Sequence, residues 1–215
     1  MPRVETMMFG HPVIEFDVRV MRPRPWTAAQ SYWAAELLRR APAGPVLELC
    51  AGAGQIGLLA VAEGDRELVL VDLDPAACAH AHSNARRAGL ADRVVVRQAA
   101  LHEAVEPGER FAVVIADPPW VPSGAVGRFP EDPLLAIDGG PDGLATAWTC
   151  LEVAPPTWWG GGSAVVQLGS EAQVAAVRDR LDDGSLGLEF AESRAYGTSG
   201  MPVHLRRAGR ADQSF

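Results

Sequence analysis

Val46-Leu47-Glu48-Leu49-Cys50-Ala51-Gly52-Ala53-Gly54-Gln55-Ile56-Gly57 is the stretch on which the fold turns. An apolar run ends in a glycine-rich bend, and a helix-compatible segment follows. Gly52 and Gly54 permit a tight turn and a close approach of backbone to ligand, while Gly57 lets the helix pack against a sheet. The next apolar run, Glu67-Leu-Val-Leu-Val-Asp72, ends on a carboxylate placed to accept hydrogen bonds from two ribose hydroxyls. A glycine bend alone is an ordinary turn. Strand, bend, helix and acidic partner in register point to a nucleotide-type cofactor.

The same rhythm continues outward. Arg93-Val-Val-Val-Arg97, Phe111-Ala-Val-Val-Ile-Ala116 and Ser163-Ala-Val-Val-Gln-Leu168 are further continuous apolar runs, the pattern of strands buried on both faces of a parallel sheet. Asp74-Pro75 opens a helix with a capping carboxylate and a proline at its first position, and Gly89 stops it. Gly169 to Leu181 reads as another helix, with Val174, Val177 and Leu181 at helical spacing. The expected fold is α/β: a Rossmann-like, doubly wound, mostly parallel sheet with helices on both faces. His11 to Val20 alternates, with Ile14, Phe16, Val18 and Val20 on one side, and predicts a short hairpin or edge strand ahead of the domain. The expected organisation is an N-terminal segment at 1–26, the main domain at 27–206 and a tail at 207–215.

Composition narrows the class. At 215 residues the chain suits one domain and needs no covalent staple. Three cysteines (Cys50, Cys78, Cys150) are too few and too scattered for a disulfide framework or a zinc cage, so no metal is expected and a reducing compartment fits. No apolar run approaches the roughly 20 residues that span a bilayer, and no signal-peptide core opens the chain. A cytoplasmic protein without a membrane partner is expected. The formal charge is −8, and the 19 basic residues are all arginine. Nucleic acid is disfavoured as a partner, since no general phosphate attraction is present.

Two cofactors compete for the glycine bend. A dinucleotide sets its pyrophosphate there, whereas S-adenosylmethionine brings an ammonium that needs acceptors. Glu48 supplies a carboxylate near that ammonium and would repel a pyrophosphate, so it favours the methyl donor. A second constellation, Asp117-Pro118-Pro119-Trp120, follows the Phe111 run and starts a long proline- and glycine-rich segment reaching Gly143. Segments of this kind in compact domains usually serve function, and this one starts where open α/β sheets bind ligands. The prolines lock the backbone and leave nearby carbonyls free, Asp117 adds a charged acceptor, and Trp120 adds a flat wall. Together they suit a planar substrate bearing an NH2 group, held with its nitrogen toward a methyl group; such alignment contributes as much as about 7–11 kcal/mol to a transfer.

These residues resemble the class I S-adenosylmethionine-dependent methyltransferases, and more narrowly the HemK/PrmC family, which methylates a glutamine side chain of peptide release factors. Pro23-Arg24-Pro25-Trp26-Thr27 is similar to that family's Pro-Arg-Pro-x-Thr segment beside the cofactor. Asp117-Pro118-Pro119-Trp120 stands where the family has Asn-Pro-Pro-Tyr, and Glu131 to Leu144 resembles its Glu-Pro-x-Leu-Ala-Leu-x-Gly-Gly-x-Asp-Gly-Leu block. The resemblance implies a seven-stranded class I methyltransferase fold. It implies a donor site at Thr27, Glu48, Cys50, Ala51, Gly52, Gly54, Asp72, Leu73, Ala100, Leu101 and Asp117, and a reacting site at Asp117, Pro118, Pro119 and Trp120. The chain departs from the family where Asp117 replaces asparagine, Trp120 replaces tyrosine, Ala100 replaces an aspartate that would hold the adenine amine, and Trp26 replaces an acid. The implied activity is N-methylation of a planar amide or amine. Its substrate is a release-factor-like protein glutamine or a small planar amide or amine, with a metabolite or an adenine amine as the alternative and an activating partner subunit left open.

Two rival readings stand beside it: a non-catalytic cofactor-binding partner, motivated by Ala100 and Trp26, and a nicotinamide-dependent oxidoreductase. The second leaves Glu48 and the Asp117 corner without a role. His80 and His82 read as solvated helix residues, His102 and Cys50 as bystanders, and Trp158-Trp159 as packing for a turn. Arg206, Arg207 and Arg210 read as a solvated tail.

Overall fold

The computed structural model describes residues 2–154, 157–196 and 200–208. A seven-stranded sheet forms the centre. Its strands are β3 (Val46–Leu49), β4 (Leu68–Asp72), β5 (Val94–Gln98), β6 (Phe111–Ala116), β7 (Trp158–Leu168), β8 (Leu188–Ser193) and β9 (Met201–Arg207). They lie in the order β5-β4-β3-β6-β7-β9-β8, and β9 alone runs antiparallel to its neighbours. The order reverses between β3 and β6, so the crevice for a ligand opens at the carboxyl ends of those two strands. The expected fold class is the one observed.

Alternation of side chains across the sheet builds two cores. Leu47, Leu49, Val69, Val71, Val114 and Ala116 pack against α5 (Ala145–Val153) and α6 (Glu171–Leu181), which follow the single-turn α4 (Leu134–Ile137) in the chain. Val46, Leu68, Leu70, Val113 and Ile115 face the other way, against α1 (Ala28–Leu38), α2 (Gln55–Val61) and α3 (Pro75–Arg87). Each such side chain, removed from water, contributes roughly 1.5–3 kcal/mol. Asp74 caps α3 by accepting from the Ala76 N–H at 2.8 Å, and Gly89 follows the helix with φ of 71°. Ser170 caps α6.

The alternating N-terminal segment forms its own antiparallel hairpin, β1 (Glu5–Met8) and β2 (Val13–Phe16). Ile14, Phe16 and Val20 are buried as the alternation predicts, but Val18 is 73% exposed, because the strand ends at Phe16 and a turn carries Val18 outward. Asn84 of α3 ties the hairpin down. Its Nδ2 donates to the carbonyls of Glu15 and Ala53, both at 2.9 Å, and its Oδ1 accepts from the Glu15 N–H at 2.8 Å.

Several local expectations are corrected. His82 is exposed, but His80 is buried, with Nε2 3.1 Å from Asp17 Oδ2, because the hairpin covers that face of α3. Trp158 opens β7 as a buried strand residue rather than packing a turn; the side chain of Trp159 lies outside the description. Arg206 and Arg207 close β9, with Arg206 paired to Glu189 of β8, so they are not tail residues. Arg210 lies outside the described residues. Among the described residues no helix is long and apolar enough to cross a membrane, and no group of three or more His, Cys, Asp or Glu could hold a metal ion.

Candidate functional site

One large cavity, about 1240 Å³, opens over the carboxyl ends of β5, β4, β3 and β6. It exceeds the roughly 300–1,000 Å³ of a pocket for one small ligand, so two molecules can meet in it. Cys50, Gly52, Asp72, Leu73, Ala100 and Leu101 line it from the strand ends. Thr27 lines it from the segment preceding α1, and Asp117, Pro118, Pro119 and Trp120 from the end of β6. These expected site residues are therefore brought together.

Three expected donor-site residues are not on the cavity: Glu48, Ala51 and Gly54. Glu48 is turned the other way by the alternation of β3. Its side chain is buried on the α2 face, and Oε2 accepts the Gly57 N–H at 2.8 Å. Burial pushes its carboxyl well above the usual range, with like charges at Asp117 and Asp72 adding to the shift. It therefore offers no contact to a ligand ammonium and instead anchors α2 to the sheet. Gly57 is glycine because a Cβ there would collide with that Glu48 oxygen. Ala51 and Gly54 shape the bend from behind, Ala51 N–H donating to the Val71 carbonyl and Gly54 taking φ of 80°.

The bend is strained. Cys50 holds φ of 57°, a left-handed conformation uncommon outside glycine, and Gly52 holds 54°. A Cβ at Gly52 would meet nothing nearer than Gln55 Oε1 at 4.0 Å, so the backbone stands open to the cavity. Asp72 Oδ2 accepts the Gly52 N–H at 2.7 Å, and its Oδ1 accepts the Asp74 N–H at 2.9 Å. Each oxygen keeps a lone pair for a further donor. Burial raises the Asp72 carboxyl, while those N–H groups pull it back. The neighbouring Cys150 thiol together with burial pushes the Cys50 thiol well up; it stays protonated and is a poor nucleophile.

Asp117 presents its carboxyl to the cavity with no hydrogen-bond partner among the described residues. Burial alone pushes it up to about 7. Near neutrality both forms are populated, so the group can accept hydrogen bonds and, when protonated, also donate one, as asparagine does. Among the described residues nothing donates to the carbonyls of Pro118 and Pro119. The carbonyl of Trp120 is taken by Gln173 Nε2 at 2.9 Å. The indole lies against Gly169, where any Cβ would collide with it. The glycine block that follows explains itself here: a Cβ at Gly139 would strike the Pro119 carbonyl and one at Gly143 the Trp120 carbonyl. The two motifs are two sides of one rigid corner.

Residues not singled out from sequence complete the walls. Arg19, Val20 and Met21 form one side, Phe129 and Leu134 another. Arg24 reaches across to Asp132 at 2.5 Å and ties the segment preceding α1 to the long loop. Arg19 is likewise paired, to Asp17, whose carboxyl this contact holds far below the usual range. His102 reaches the rim while its side chain stays 76% exposed. Gln55 lines the cavity from the first position of α2, a polar side chain buried where an apolar one is the rule. Its place within the glycine bend was the available signal.

Comparison with known proteins yields three findings. The family model "Conserved hypothetical protein 95" matches residues 24–128. The chain is 32% identical over 130 residues to the ribosomal protein uL3 glutamine methyltransferase of Bordetella pertussis, covering 58% of this chain and 43% of that one. It is 30% identical over 189 residues to the release factor glutamine methyltransferase of Mycolicibacterium smegmatis, covering 85% and 66%. The chain thus spans less than half of the first relative and about two thirds of the second. Among solved structures, the hMettl16 catalytic domain bound to a 3′UTR hairpin superposes with a TM-score of 0.73 at 12% identity, covering 92% of this chain and 76% of that one.

Proposed function

For a chain that has the class I methyltransferase fold and is related to the HemK/PrmC glutamine methyltransferases, we propose an S-adenosylmethionine-dependent N-methyltransferase acting on a planar amide or amine nitrogen. The observation that carries it is the opening of Asp117 and of the Gly52–Asp72 bend into one cavity. The residues present fit the donor. Asp72 keeps lone pairs for ribose hydroxyls, Gly52 leaves its backbone open, and the carboxyls of Asp72 and Asp117 favour a cation. Leu73, Ala100 and Leu101 line the cavity where they would flank the base, Cys50 would line the floor and Thr27 the near wall, the Thr27 hydroxyl donating to the Arg24 carbonyl at 2.9 Å.

The donor supplies a methyl group on a sulfonium that is already an activated leaving group. Asp117 and the free carbonyls of Pro118 and Pro119 accept the N–H bonds of the substrate and hold its lone pair toward that methyl group. Trp120 walls the acceptor, and the loop carrying Phe129 and Leu134 excludes water. Ionised Asp117 can take up the proton that the nitrogen sheds. Orientation is its main work, because alignment supplies most of what direct transfer needs.

A protein side-chain amide is the favoured substrate, since both relatives are named for glutamine methylation. A nucleic acid is disfavoured. Asp74, Glu131, Asp132 and Asp138 lie along the cavity, and its two arginines are engaged by Asp17 and Asp132. The test is transfer of labelled methyl from S-adenosylmethionine into a cell extract divided into protein, nucleic-acid and small-molecule fractions, with Asp117→Ala as control. Asp117-dependent label in protein is expected. Label among small molecules would recast the substrate, and donor binding without label anywhere would overturn the enzymatic reading.

A further inference from the structure

The carboxyl of Asp117 meets no hydrogen-bond donor among the described residues, so its place in the cavity is set by the backbone that carries it. Downstream, Pro118 confines Asp117 to extended conformations. Upstream, its aim depends on the peptide group that joins Ala116 to Asp117 at the carboxyl end of β6. The N–H of that group donates to the Leu49 carbonyl of β3 over a long 3.4 Å. Its carbonyl, trans to the N–H and so turned toward β7, accepts from Gln30 Nε2 at 2.9 Å. The firmer hold is the one from Gln30.

Gln30 sits in the first turn of α1, just after the Thr27 segment that lines the cavity, and is 1% exposed. Its Nε2 also donates to the Val165 carbonyl of β7, at 3.1 Å. β7 ends at Leu168 and leads into Gly169, against which the Trp120 indole lies. One amide thus joins the strand that carries the carboxyl to the strand that supports the aromatic wall. Its Oε1 is buried and unpartnered, an unfavourable arrangement where an apolar side chain would fill the same space. What the glutamine adds at this place is its pair of N–H donors.

We propose that Gln30 is a positioning residue for the transfer: by clamping the carbonyls of Ala116 and Val165 it fixes the peptide plane from which Asp117 is aimed and keeps the Trp120 wall in register with it. This rests on the N-methyltransferase reading above. Gln30 touches neither the donor nor the acceptor and acts through Asp117.

The Asp117 carboxyl can be followed in the ligand-free full chain by carbon-13 NMR, with Asp117→Asn identifying its signal; burial puts its midpoint at about 7. Gln30→Met keeps the volume and removes both donors. It should move that midpoint by about half a pH unit or more. At saturating S-adenosylmethionine it should slow labelled-methyl transfer into extract protein about ten- to a hundredfold, with the donor Kd within about twofold of the original. Gln30→Leu, also without donors, should behave alike and covers the case in which Gln30→Met does not fold. Leu38→Ala, buried at the far end of the same helix, loosens α1 without removing either hydrogen bond and should leave the midpoint in place. A midpoint unmoved by the Gln30 variants, or moved as far by Leu38→Ala, would overturn the inference and leave the methyltransferase reading intact. No transfer by the unaltered protein would overturn that reading, and the inference with it.

Discussion

Glu48 and Gly57 are joined by a hydrogen bond, 2.8 Å from backbone nitrogen to Oε2, that ties strand β3 to helix α2 behind the cavity rather than within it. Glu48 Oε1 is buried and unpartnered, so the side chain is most comfortable as a neutral acid. Its folded value lies well above the ordinary 4.5. Between those limits the folded state binds more protons than the unfolded one, so stability falls as pH rises through the window. Glu48→Gln, which keeps the acceptor for Gly57 and cannot ionise, should remove that fall. Urea midpoints across pH for the two proteins decide; parallel curves would refute the assignment.

Asp117 gives the corresponding signature in activity. Its carboxyl is pushed up to about 7, and gripping an NH2 group requires the ionised acceptor. At sub-saturating donor, kcat/KM should rise with pH through about 7 and level off above it. Asp117→Asn should flatten the profile, and Asp117→Ala should lower turnover by far more than it weakens donor binding. A rate that falls across the same interval would instead make the protonated acid the working form.

Gly169 supports Trp120 from beneath. A methyl group there displaces the indole, so Gly169→Ala should raise KM for the acceptor several-fold and leave the donor Kd unchanged. Equal changes in both would show that the ring does not serve the acceptor side alone.

Arg24 and Asp132 pin the long loop to the segment ahead of α1. Asp132 is buried, with its side chain 5% exposed, while Arg24 keeps 33%. Arg24→Ala therefore leaves a buried charge unpaired, at less than the roughly 3–5 kcal/mol of a pair buried on both sides. Trypsin cleavage after the exposed Arg128 should accelerate in the variant. An unchanged rate would mean that the loop is held by its backbone bonds instead.

The legible parts of the chain were those where one physical demand acts locally. Runs such as Leu68–Asp72 and Phe111–Ala116 are apolar throughout because both faces are covered. β8 and β9 give no such signal, for β8 is the edge strand and carries Glu189 and Glu192, and its neighbour β9 ends on the exposed Arg206 and Arg207. The cavity-lining members of the site could be found from the bend and the proline corner. Spacing along the chain places Glu48 near a ligand, whereas strand alternation turns it to the opposite face. His80 reads as a solvated helix residue because the hairpin that buries it lies far away in sequence. Gln55 looks ordinary in sequence, an amide at the start of a helix, and only the fold shows it buried beside the cavity.

Asn84 has a dynamic consequence. One amide side chain holds Glu15 of the hairpin and the Ala53 carbonyl of the glycine bend together. Opening either segment strips the other of its anchor, so the two should unfold locally as a single cooperative unit. Occupancy of the bend should then slow hydrogen exchange in the hairpin amides, which touch no ligand, and the first twenty or so residues would report from a distance on whether the cavity is filled.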